Sequence, residues 1–169
     1  MQTNLNFEEI NNGLHVDIEG NSIFIPWDSS FFDLYGLADS TTIRNLKNDD
    51  GTIVRSVSFE FKNQEIIYSK PTATVGARLD DTELNLQTRG INSFHIDLNL
   101  YGKEAEEYNE RLKHHLDKLI SNGQPYQSEH LNIGGIKYSL IDNIELELIC
   151  SDFWSKGTVY NLIIIITKN

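Results

Sequence analysis

Residues 102–123 read GKEAEEYNERLKHHLDKLISNG, and this stretch decides the class of fold. Ala105, Tyr108, Leu112, Leu116, Leu119 and Ile120 recur in steps that trace one apolar stripe at a 3.6-residue period. Glu104, Glu106 and Glu107 crowd the first turn, where the positive end of the helix dipole favours carboxylates. Glu107 with Arg111 and Lys113 with Asp117 stand four apart, the spacing of surface ion pairs. Gly123 and then Pro125 supply a stop, so the spacing predicts a helix over about 103–122 with one buried face. A single apolar face needs a sheet to cover it.

Strands are what the flanking sequence offers. Toward the N-terminus, Phe94, Ile96, Leu98 and Leu100 alternate with Ser93, His95, Asp97 and Asn99, and this strand runs through Tyr101-Gly102 into the helix. Further strands are expected at 42–47 and 53–62 around an Asn48-Asp49-Asp50-Gly51 turn, and more weakly at 74–79 and 83–88. Asn63-Gln64 reads as a turn into 65–68. Residues 14–18 and 23–25 form a hairpin closed by Pro26, and 29–36 a short helix capped by Asp28, Ser29 or Ser30 and stopped at Gly36. After the long helix, Gly134-Gly135 reads as a two-residue hairpin turn between 131–133 and 136–140. Residues 144–150 alternate with Glu145 and Glu147 outward. The run 162–166, apolar on both faces, predicts a central strand covered on both sides.

No strand–helix–strand alternation is present, so pairing is expected to be mainly antiparallel. The expectation is an α+β fold: one strand-rich domain spanning 1–169, with a long amphipathic helix packed on a sheet and a short helix near 29–36. Each half also reads as two strands, a helical segment and more strands, a rhythm without evident residue identity between the halves.

Composition narrows the function classes. The formal net charge is −11, which repels nucleic acid backbones and anionic membranes and favours a basic protein partner. Residues 1–43 hold Glu8, Glu9, Asp17, Glu19, Asp28, Asp33 and Asp39 and no Lys or Arg. The single cysteine, Cys150, excludes an intrachain disulfide framework and reads as a small buried hydrophobe. The opening MQTNLNFEEINNG has neither the basic nor the apolar region of an export signal, so a cytoplasmic protein is expected. A chain whose signal peptide had been removed would read the same.

Motifs for chemistry are sparse. His114-His115 with Glu110 do not have metal-site spacing, because adjacent helical residues diverge by about 100°. With Gly51 at the sixth position of a calcium loop, Leu46 and Val57 would fall at the first and twelfth, and neither ligates calcium. Gly134-Gly135 lacks the Lys and further Gly of a phosphate loop. No metal or cofactor is expected. Ser93, His95 and Asp97 share a strand face, but same-strand neighbours rarely give triad geometry, and solvated polar residues account for the pattern.

The segment carrying Trp27, Asp28, Phe31, Phe32, Asp33, Tyr35 and Asp39 combines aromatic anchors with carboxylates that steer a basic partner. Core filling and solubility are the competing explanation. The leading expectation is a non-enzymatic, acidic protein-binding domain, monomer or homodimer, such as a bacterial immunity protein that neutralises a basic toxin. The alternatives are a hydrolase or ligand-binding enzyme with a dispersed site near His95 and Asp97, and an assembly subunit that buries the aromatic segment.

Overall fold

The structure is a computed structural model that describes residues 9–65, 73–82, 89–120, 123–127, 133–152 and 160–169. The expected strands at 83–88 and the segment 65–68 beyond Glu65 lie outside the described residues, as does the Cys150 side chain. The fold is α+β, as the helix stripe and the alternating runs required. A hairpin, β1 (Gly13–Ile18) and β2 (Asn21–Pro26), is followed by a one-turn helix α1 (Phe31–Leu34). Four strands come next: β3 (Ser40–Lys47), β4 (Ile53–Gln64), β5 (Ala73–Asp81) and β6 (Ser93–Tyr101). Helix α2 (Gly102–Leu119) then leads to β7 (Gln124–Gln127), β8 (Ile133–Ser139), β9 (Ile144–Asp152) and β10 (Tyr160–Lys168).

The last eight strands form one antiparallel sheet in the order β3-β4-β5-β6-β10-β9-β8-β7. It is two four-stranded meanders whose final strands, β6 and β10, meet in the middle through the pair Ile96↔Ile164. A helix precedes each meander, so the topology repeats, although α1 has four residues and α2 eighteen.

One face of the sheet is the core. Val57, Phe59 and Phe61 of β4, Val75 and Leu79 of β5, Phe94, Ile96 and Leu98 of β6, Ile164 and Ile166 of β10, and Leu146 and Leu148 of β9 are all buried. Their registers place them side by side. Helix α2 covers β6, β10 and β9 with Ala105, Tyr108, Leu112 and Leu116. Trp27 and Phe31 cover the other meander, Trp27 edge-on to Phe94 at 4.7 Å and Phe31 against Phe59 at 5.7 Å. No described element packs on the opposite face. Ile165 of β10 stands there half-buried, so the two-sided cover expected for the 162–166 run is not present among the described elements.

Five local expectations are corrected. Helix α2 ends at Leu119, and Ile120 caps it in an extended conformation, so Leu119 is exposed rather than part of the buried stripe. Gly123 is needed for close packing, not as a left-handed cap: a Cβ there would stand 2.6 Å from Tyr138 Cε1. Glu107 pairs with Lys103 at 3.6 Å, while Asp117 accepts a hydrogen bond from the buried Tyr138 hydroxyl at 2.8 Å. Burial, and after it that bond, push the Tyr138 phenol pKa up. Gly134-Gly135 is not a turn but the interior of β8, paired with both β7 and β9. Finally, Asn63-Gln64 is not a turn either; β4 continues through it to pair Gln64 with Ala73 across a register shift.

Candidate functional site

The N-terminal hairpin turns on Glu19 and Gly20, both at positive φ (51° and 82°), which matches the twist of the two strands. Gly20 adopts this conformation without steric cost. The hairpin is tied to the sheet by Gln64, which is fully buried. Its Oε1 accepts from the Asp17 N–H at 2.7 Å, and its Nε2 donates to the Asp17 carbonyl at 2.8 Å. One side chain thus reads both backbone groups of Asp17, as a neighbouring strand would. Sequence patterning missed this residue because a Gln in a polar cluster carries no period.

Helix α1 is short and depends on its cap. The Ser30 N–H and hydroxyl both donate to Asp33 Oδ2, at 2.7 and 2.8 Å. These bonds hold the Asp33 carboxyl below the usual carboxylate range. The helix is too small to bury all its aromatics. Phe31 is half-buried and stacks on Tyr35 at 5.2 Å, whereas Phe32 and Tyr35 are 62% and 64% exposed. Leu37, in the segment leading to β3, is exposed as well. Trp27 does not join them. It is 4% exposed, donates its indole N–H to the Ile10 carbonyl at 2.8 Å, and belongs to the core.

The segment after α1 folds back through Leu37 and Ala38 N–H bonds to the Leu34 carbonyl. Asp39 then accepts from the Lys62 N–H with Oδ2 at 2.6 Å and donates its own N–H to the Glu60 carbonyl at 2.9 Å. This brings three chain segments around a cleft of about 640 Å³. Its walls are the β1–β2 turn with Asp17, Ile18, Glu19 and Gly20, the 36–39 segment, and Lys62 and Asn63 of β4. Asp17, Glu19 and Asp39 thus line the same cleft as Lys62. Phe32, Tyr35 and Leu37 lie on the adjoining segment, with Asp28 and Asp33 exposed beside them. Glu9 is occupied elsewhere, bonded to His15 Nε2 at 2.7 Å. Glu8 lies outside the described residues.

Two other groupings were open from the sequence. Ser93 Oγ and His95 Nε2 stand 3.1 Å apart, but Asp97 turns away and accepts from the Asn99 N–H at 2.9 Å. Burial holds His95 below its ordinary pKa, with the Arg78 guanidinium adding to the effect and Asp80 opposing it. Arg78 is itself bonded to Ser56 Oγ and Asp80 Oδ1, at 2.9 and 3.0 Å. A hydroxyl next to a neutral imidazole is present, but Asp97 does not orient the imidazole as a triad acid would. On α2, Glu106, Glu107, Glu110 and Arg111 line a second hollow without an aromatic among its lining residues. His114 is exposed and His115 half-buried, and among the described residues no three metal-ligating side chains converge. No described helix is long and apolar enough to cross a membrane.

Comparison with protein-family models, with curated proteins and with solved structures returns no match for this chain.

Proposed function

We propose that this chain is a non-enzymatic binding domain that engages a basic protein through the acidic cleft and the aromatic ridge beside it. The observation that carries the reading is the juxtaposition of Asp17, Glu19 and Asp39 around one cleft with the exposed rings of Phe32 and Tyr35. Exposed aromatic rings at a stable surface supply contact area at small entropic cost and dominate binding energy when buried. Carboxylates at the rim raise the rate of encounter with a cationic surface, and a carboxylate is the acceptor a guanidinium pairs with best. An inhibitor or immunity protein that occludes a basic toxin fits this arrangement, and the net charge of −11 suits it.

The test is affinity capture from native lysate with the wild-type chain and the Asp17→Asn/Glu19→Gln/Asp39→Asn variant side by side. The reading expects a basic protein retained by the wild type at low salt, released by raised salt, and lost from the variant. Equal recovery on both chains, or no basic protein on either, contradicts it.

A further inference from the structure

We propose that β3, at one edge of the large sheet, pairs antiparallel with β3 of a second copy of this chain, so that one sheet runs through a homodimer. The two edges of the sheet are built differently. The described part of the β7 edge, Gln124–Gln127, contains Pro125, which blunts it against further pairing. The β3 edge is eight residues long, contains no proline, and pairs with β4 without a register shift from Ser40 to Lys47. Every residue of β3 from Thr42 onward is exposed, and Ile43 is 53% exposed. A long, regular strand that no described element covers is a template for another strand.

The register follows from the hydrogen bonding. The Asn48 N–H donates to the Thr52 carbonyl at 2.9 Å, next to the pair Lys47↔Ile53. Antiparallel ladders alternate, so Leu46, Arg44 and Thr42 turn their backbone groups toward β4. The N–H and C=O groups of Thr41, Ile43 and Asn45 therefore point away from the sheet. A two-fold pairing centred on Ile43 brings those groups together: Ile43 meets Ile43 of the second copy, and Thr41 meets its Asn45. The same register places Arg44 across from Thr42, so like charges do not face each other. This two-fold, self-matching ladder, together with the absence of any acidic residue in β3, selects a second copy over the basic partner of the acidic cleft. The dimer does not depend on that partner and is measured without it.

Sedimentation equilibrium across a concentration series tests the proposal, on the wild type and on Ile43→Lys and Thr41→Pro. Neither substitution removes a hydrogen bond between β3 and β4. The expected result is a wild-type mass that rises from 19.3 kDa toward twice that value, with both variants held at 19.3 kDa and melting as the wild type does. Amide exchange on the wild type gives a reading that needs no variant: Thr41, Ile43 and Asn45 slow as concentration rises. A wild type that stays at 19.3 kDa throughout overturns the proposal, as does a dimer in which these three amides exchange as fast as in dilute solution.

Discussion

Gln64 shows how much a single side chain can decide. It is buried, and it satisfies the N–H and C=O of Asp17, which a leucine of similar size would leave without these partners. Each buried orphan costs about 1–3 kcal/mol, so Gln64→Leu is expected to lower unfolding free energy by roughly 2–4 kcal/mol in urea titrations. Glu19 makes the opposite case. A residue with a Cβ at φ 51° is disfavoured, and asparagine tolerates that conformation better. Glu19→Asn should raise stability by about 0.5–1 kcal/mol while weakening capture of the basic partner, the trade expected where function holds a strained residue. His95 sets a pH dependence. Its folded pKa lies below its ordinary 6.5, so just below that pH the unfolded chain binds the extra proton and the folded chain does not. Stability therefore falls as pH drops through this window, and His95→Gln should flatten the denaturation midpoint between about pH 5 and 7. None of these roles shows in the sequence. Gln64 and Glu19 act through backbone geometry, and the environment of His95 is made by Arg78 and Asp80 of a neighbouring strand.

At the scale of elements, periodicity was readable wherever one face is buried against another layer. The stripe of α2 and the alternation of β6 are both legible because side chains repeat at 3.6 and 2.0 residues. Leu112 lies at the centre of that stripe with no exposed surface, and Leu112→Ala should cost about 2–5 kcal/mol by chemical denaturation. Turn chemistry was less readable. Gly134-Gly135 carries a hairpin signature, yet strands on both sides hold it extended as the interior of β8. The stop after α2 fell at Leu119, and the close packing of Gly123 is tertiary as well: a Cβ there would stand 2.6–2.8 Å from side-chain atoms of Tyr138 and Ile136. Helix α1 divides the aromatic segment in a way composition cannot express, with Trp27 in the core and Phe32 and Tyr35 outside. Phe32→Ala with Tyr35→Ala should accordingly leave the melting temperature nearly unchanged. Measured against the captured partner, the pair should reduce affinity by about 2 kcal/mol or more.

Across the whole molecule, two helix-plus-meander halves share one sheet, and the charge is not spread evenly over them. The N-terminal half gathers Asp17, Glu19 and Asp39 at one corner, although they are separated along the chain by as many as 22 positions. The excess of carboxylate before Arg44 was legible in the sequence. The cleft was not, because it exists only where the hairpin, the 36–39 segment and β4 meet. The sheet face bearing His95 and the solvent side of α2 are the surfaces that compete with this corner. Hydrogen–deuterium exchange of the chain in complex with its captured basic partner separates them most directly. The account predicts added protection confined to residues 17–20 and 31–39. Protection centred on α2, or on the β5–β6 strands around His95, with the 31–39 segment unchanged would contradict it.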